Sequence, residues 1–375
     1  MKSVYVIIAS QEYDAANHQG LWKEIAAMSN NEVIIVNIPA DYVVSTLRGK
    51  SYRINDAKKP PRIINDRLKI VRPLFAFRPE LLPGVGIKML SRQFWKSVSR
   101  AVPNIMECHV HLLVYNAFWV KLLLGTHHNM KVGYFLFDEV RSEGETNKRN
   151  KRRYKDDDFA CRNCDIIFTM TQTLADSRKS YNKKTIVVGN GATFHNGLME
   201  SLNHINKSIA FIGNFRDWID KPLLEGLISS MSDCIFFFVG PVDANMQEFL
   251  DGLLNKYSNT VYKGKVSKDR IGSVYKMFDV VIVPYLQNDF TKATRPIKIV
   301  ESVIAGTPVV TIPMDGYQSC EFIRFATDEE SFTREIRNMI SHPIDMACES
   351  HIAFCRDNSW ENKARLIVDS FNSIV

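Results

Sequence analysis

Short, nearly uninterrupted apolar runs alternate with amphipathic helical stretches along the chain, and past residue 206 the alternation begins again. A strand that is apolar at every position leaves no face for water. It belongs in a sheet covered on both sides, and helices that cover both sides make the strands parallel. In the first half the runs Val4–Ala9, Val33–Ile38, His111–Tyr115, Val132–Phe137, Ile166–Met170 and Thr185–Val188 read as strands. The second set is Ser208–Ile212, Cys234–Val239, Asn259–Tyr262, Val280–Val283 and Pro308–Ile312. Helical patterns fall between them at Lys221–Ser230, Met246–Lys256, Lys268–Met277 and Ile297–Ala305. Two doubly wound α/β units in tandem are the simplest solution. The polar segment Gly189–Asn206 is the expected hinge, and the aperiodic stretch Pro39–Asn65 is expected to be a long irregular loop.

The 375 residues are 45% hydrophobic and 24% charged, which suits a globular chain with material for two cores. The first apolar run is too short for a signal peptide, and no stretch reaches the ~18 apolar residues of a spanning helix. Seven scattered cysteines give no disulfide framework and suit a reducing, cytoplasmic compartment. Cys161 and Cys164 have no second pair at zinc spacing, and they read as small apolar residues where a helix runs into a strand. The net charge of +7 permits attraction to phosphate-bearing substrates or anionic lipid, and no RNA-binding signature accompanies it.

The chemistry concentrates in the second half. Gly213-Asn214-Phe215-Arg216 follows a strand, where glycine lets backbone N–H groups approach a phosphate. Gly240-Pro241 and Gly264 close two further strands. Arg295 precedes a helix opened by Pro296 and ended by Gly306, on which Lys298 and Glu301 are three apart and share a face. Cations at the helix start can bind a diphosphate, and a carboxylate one turn deeper can accept from two ribose hydroxyls. A surface Lys–Glu pair is the competing reading of the spacing alone.

The order of these pieces resembles the donor domain of GT-B glycosyltransferases. It is most similar to the family 4-like enzymes of bacterial surface-polysaccharide assembly, and among those to teichuronic-acid-type transferases. The matching pieces are Phe211-Ile212-Gly213-Asn214, Val239-Gly240-Pro241, Gly264-Lys265-Val266, the Asp279–Tyr285 strand, and Pro296-x-Lys298-x-x-Glu301 running to Ala305-Gly306. The first half resembles the family more loosely, at Asn190-Gly191 and at the strand end bearing Asp138-Glu139. Ser359-Trp360-Glu361-Asn362 looks like the superfamily's last helix.

The resemblance implies two Rossmann-like domains facing across a cleft. These would be an acceptor domain (1–195), a nucleotide-sugar domain (205–355) and a C-terminal helix (356–375) returning to the first. It implies a hexosyl or related transferase that takes a UDP- or GDP-linked sugar as substrate and needs no separate cofactor or metal. The acceptor would be a saccharide, either free or lipid-linked, and a lipid-linked one would place the cytoplasmic enzyme peripherally at the inner face of the membrane.

Gly213, Asn214, Arg216, Val266, Tyr285, Arg295, Lys298 and Glu301 would hold the donor, while Asp14 and His18, just after the first strand, would either contact the acceptor or cap the following helix. Asp138 or Glu139 would be the base in an inverting enzyme and would orient the acceptor in a retaining one. One position departs from the family: Ala293 stands where many family 4 enzymes carry a second glutamate. Two other readings compete, a nucleotide-sugar 2-epimerase on the same fold and a non-catalytic nucleotide- or membrane-binding protein.

Other clusters carry plainer expectations. Asp156, Asp157 and Asp158 read as a solvated helix face, and His109, His111, His127 and His128 as structural. Lys88, Arg92, Lys96 and Arg100 recur at every fourth position with Phe94 and Trp95 between them, and Lys148–Lys155 adds further basic groups. That pattern reads as a solvated face or as a peripheral patch for anionic membrane.

Overall fold

A computed structural model describes every residue except 1–2, 29–30, 78–85, 141–147, 194–202, 344, 346 and 375. Part of the hinge expected at Gly189–Asn206 therefore lies outside the described residues. The chain divides into two compact units, Met1–Val188 with Lys363–Val375, and Gly189–Asn362. Both are α/β with doubly wound sheets, as the alternation of apolar runs implied.

In the first unit an 8-stranded sheet has the order Thr185–Val187, Ile166–Thr169, Met130–Leu136, His109–Val114, Ser3–Ile8, Glu32–Val36, Leu68–Val71, Arg62–Ile63. All neighbours are parallel except the last pair. The strand order reverses between Ser3–Ile8 and His109–Val114, which makes their carboxyl ends the natural ligand edge. Phe371 of the final helix Trp360–Asn372 lies in this unit's core, 5.0 Å from the His111 ring and 5.7 Å from Phe168. A Cβ on Gly133 would come within 2.7 Å of Phe371, so the bare strand makes room for the ring.

Three expectations need correction here. The stretch Pro39–Asn65 is ordered: it holds the helices Tyr42–Leu47 and Tyr52–Lys58 and the edge strand Arg62–Ile63. The helices are too short to show a period. They persist because Ile54 and Ala57 pack with Ala40 and Leu74, while Arg100 donates to the carbonyls of Ala57, Lys58 and Lys59.

The helix Ile87–Ser99 does not offer its aromatics to a membrane. Phe94 is fully buried, and Trp95 is buried with its Nε1 donating to Thr126 Oγ1 at 2.9 Å. The basic side chains of that helix are what it turns to water.

Nor are the three aspartates a solvated face. On the helix Lys148–Asn163, Asp156 and Asp157 are buried and Asp158 is half-buried. Asp157 accepts from Tyr134 Oη at 2.9 Å and lies 3.1 Å from Arg178, whose side chain is 1% exposed. Cys161 and Cys164 are buried beside them with free thiols, which burial pushes up to about 12.

The second unit carries a 6-stranded sheet, all parallel, in the order Thr260–Gly264, Ile235–Val239, Ile205–Ile212, Phe278–Val283, Val309–Thr311, Ile323–Phe325. Its order reverses between Ile205–Ile212 and Phe278–Val283. The helix Ile297–Ala305 ends where Gly306 turns left-handed at φ 90° and donates back to Ser302 and Val303.

Candidate nucleotide-binding edge

Three adjacent strands of the second sheet end in glycines of positive φ: Gly213 at 136°, Gly240 at 135° and Gly264 at 71°. They interlock. Gly213 N donates to Val239 O at 2.8 Å, and Gly240 N to Gly264 O at 2.9 Å. A Cβ on Gly240 would lie 2.2 Å from the Gly213 carbonyl oxygen, so no side chain fits there. The result is a half-buried carboxyl edge of bare backbone turns, where open α/β sheets receive ligands.

Lys298 reaches this edge from the first turn of its helix. Its Nζ sits 4.1 Å from the centre of the Phe211 ring and 5.2 Å from that of Tyr285, and 2.6 Å from where a Gly213 Cβ would be. Two aromatic faces thus hold a buried ammonium over the glycine turn. Burial drives its pKa down to about 7, against a smaller opposing pull from Glu301. A cation so stripped of water is primed to accept an anion that restores its charge.

Glu301 is one turn deeper and half-buried, with Oε2 accepting from Tyr275 Oη at 3.1 Å. Burial raises its pKa, while the Tyr275 hydrogen bond and the charges of Lys268 and Lys298 pull it back. Lys268 and Tyr275 were not readable as site residues, because neither sits in the motif that carries Glu301.

Arg295 is held separately. Its guanidinium donates to Asn358 Oδ1 at 2.9 Å and lies 5.0 Å from the Tyr317 ring, while Asn190 Nδ2 donates to the Arg295 carbonyl at 2.5 Å. A Cβ on Gly189, which has φ 73°, would come within 2.8 Å of that guanidinium. The Gly189-Asn190 turn therefore packs around Arg295.

Arg216 sits 3.0 Å from Asp243 and 5.1 Å from the Trp218 ring, Asn214 is exposed on the glycine turn, and Val266 packs against the core just past Gly264. The structure thus gathers Gly213, Tyr285, Lys298 and Glu301 into one constellation, with Arg216, Val266 and Arg295 on adjoining turns.

The first unit's candidates are more scattered. Asp14 is exposed and gripped by Arg62 at 2.6 and 3.0 Å, which lowers its pKa. His18 is buried, its Nδ1 2.9 Å from Tyr115 Oη and its ring among Phe135 and Phe137. Asp138 caps the strand Met130–Leu136 in an exposed position. Its carboxyl is still desolvated enough to sit above the usual carboxylate range, with Arg153 opposing. Glu139 is committed to Arg178 through two contacts of 2.8 and 3.3 Å.

Residues 206–342 match the family model described as glycosyl transferases group 1. This segment is a glycosyl transferases group 1 domain. The group 1 domain contains every donor-side candidate named above. The Bacillus subtilis (strain 168) protein TuaH, whose name assigns it to teichuronic acid biosynthesis as a glycosyltransferase, is 24% identical over 161 residues, 37% of this chain and 40% of that protein. The match thus spans well under half of TuaH.

Among solved structures, sucrose-phosphate synthase from Thermosynechococcus elongatus aligns at TM-score 0.69 and 14% identity over 99% of this chain and 98% of that one. Anabaena HepE in complex with UDP and glucose aligns at 0.64 and 15% over 100% of both. A mutant of S. aureus TarM, in complex with Fondaparinux, alpha-GlcNAc-glycerol and UDP, aligns at 0.63 and 10% over 100% of both. Likeness at these identities establishes the fold, which is GT-B around its group 1 domain.

Proposed function

We propose that this chain is a glycosyltransferase that moves a sugar from a nucleoside-diphosphate sugar, UDP- or GDP-linked, to a saccharide acceptor in surface-polysaccharide synthesis. The observation that carries the reading is the buried Lys298 ammonium held over the Gly213 turn with Glu301 one turn deeper. In this reading the diphosphate lies on the backbone of Gly213 and Asn214 against Lys298, Arg295 and Arg216. The ribose hydroxyls donate to Glu301, and backbone near Val266 meets the base. As the glycosidic bond breaks, negative charge grows on the leaving diphosphate, and fixed cations in a dry site stabilise it strongly. Asp138 takes the acceptor proton or orients the acceptor. Free thiols throughout the described chain suit a cytoplasmic enzyme, and a lipid-linked acceptor would bring it to the inner face of the membrane.

Calorimetric titration with UDP tests the donor site. Glu301→Ala removes charge-assisted hydrogen bonds worth about 1.5–3 kcal/mol, so affinity should fall about ten- to a hundredfold. Lys298 provides an independent reading. Diphosphate favours its charged form, so above pH 7 binding should draw in a proton, and affinity should weaken as pH rises through that value. A folded Glu301→Ala protein with wild-type UDP affinity would refute the ribose assignment.

Chelation is the second test. Among the described residues no group of three or more His, Cys, Asp and Glu side chains is placed to hold a metal ion. Lys298, Arg295 and Arg216 would supply the charge a metal otherwise provides, so transfer should survive excess EDTA. Complete loss, restored by Mg²⁺ or Mn²⁺, would count against this mechanism.

A further inference from the structure

We propose that the ordered insert 42–63 of the first unit is a docking surface for anionic lipid. No described helix is long and apolar enough to cross a membrane, so any lipid contact made by described helices is superficial. The insert exposes a concentration of large apolar side chains: Tyr42 at 48%, Val43 at 52%, Leu47 at 81%, Tyr52 at 59% and Ile63 at 68%. On the first short helix, positions 42, 43, 46 and 47 fall within about 140° of one another at 3.6 residues per turn, while the buried Ser45 faces the protein. The unit's own core does not cover them.

The charge carried by the insert itself is almost all positive. Arg48, Lys50, Lys58 and Lys59 are exposed, and Lys58 Nζ lies 5.9 Å from the Tyr42 ring. The sole acid between 42 and 63, Asp56, is taken by Arg72 Nε at 2.7 Å. Protein interfaces disfavour lysine in and around an apolar patch, whereas lipid headgroups reward it: the ammonium meets phosphate while tyrosine and aliphatic groups enter the acyl boundary.

The insert is also fixed to the ligand edge of its sheet. Arg72 grips Glu12 at 2.8 and 2.9 Å, Arg53 approaches Glu12 at 3.3 Å, and Arg62 holds Asp14. Glu12 and Asp14 lie on the loop after Ser3–Ile8, four to six residues before His18. A membrane bound to the insert would therefore lie beside the edge assigned to the acceptor. That consequence rests on the transferase reading, whereas the docking itself does not.

Flotation with vesicles of phosphatidylcholine, with and without phosphatidylglycerol, tests it. The full chain should bind phosphatidylglycerol vesicles and bind neutral ones at least about tenfold more weakly, with added salt reducing the difference. Leu47→Ser with Tyr52→Ser, and separately Lys50→Glu with Lys59→Glu, should each lower vesicle affinity at least about tenfold. All four side chains are exposed, so the melting temperature and UDP affinity should stay at wild-type values. Lys88→Glu with Arg92→Glu and Lys96→Glu should retain binding within about threefold, because that helix keeps its aromatics inside. The proposal is overturned if the wild-type chain fails to bind phosphatidylglycerol vesicles, binds neutral vesicles equally, or loses binding only in the 88–96 variant. Wild-type vesicle binding by both insert variants overturns it too, and points instead to a protein partner for the patch. UDP titration of the same preparations reports on the transferase reading separately.

Discussion

Asp138→Asn should lower kcat by about 10²–10⁴ while leaving UDP affinity within about twofold. The strand Met130–Leu136 is apolar and paired on both edges, so its position in the sheet is rigid and its carboxyl end is fixed. Asp138 is two residues beyond that end. The neighbouring carboxylate, Glu139, is held by Arg178, so of the two candidates Asp138 is the one proposed to exchange a proton. Desolvation holds its pKa above the ordinary aspartate value and outweighs the pull of Arg153.

The sign follows directly. A base with a raised pKa is protonated at a higher pH, so the wild-type rate should fall on the acid side earlier than an exposed aspartate would dictate. The Asn variant should lack that limb altogether. Asn preserves shape, so the comparison tests charge rather than packing. A variant within a few-fold of wild type, with the acid limb intact, would remove Asp138 from the chemistry.

The glycine turns at the carboxyl edge of the second sheet were legible because their demands are local. A strand that turns sharply against its neighbour's turn favours glycine at its end, and Gly213, Gly240 and Gly264 hold those positions at positive φ. The helix Ile297–Ala305 was bounded correctly because Pro296 and Gly306 mark its ends chemically.

What escaped was set by partners far along the chain. Lys268 and Tyr275 meet Glu301 from across 33 and 26 positions of sequence, respectively. The insert at 42–63 looked structureless because two helices of six and seven residues are too short for a period, and their cohesion comes from Arg72 and Arg100 outside the segment. The amphipathic basic helix misled in the opposite way. Alternating Lys and aromatic residues suit a membrane, but the same spacing buries Phe94 and Trp95 in a core and leaves the lysines in water.

Asp157→Ala should cost about 3–5 kcal/mol of the first unit's stability, since it strips a buried cation of one of its two carboxylates. The Arg and Lys residues that precede it on its helix suggest water, yet Asp157 has no exposed surface. It binds Tyr134 Oη and Arg178, and Arg178 binds Glu139 in turn. Three elements are joined this way: the strand Met130–Leu136, the helix Lys148–Asn163 and the helix Gln172–Arg178. The charges are out of water, so the pair is a poor source of net stability when whole and a severe liability when halved.

That asymmetry makes the test specific. Arg178→Met alone should be about as damaging as Asp157→Ala, because each leaves a charge buried with too few partners. The double variant should be less damaged than the sum by about 0.5–3 kcal/mol, because both charges are then gone. Urea unfolding of the four proteins of this cycle measures the difference. Strictly additive losses would mean that Asp157 and Arg178 act independently, and the 3.1 Å contact between them would then be energetically idle.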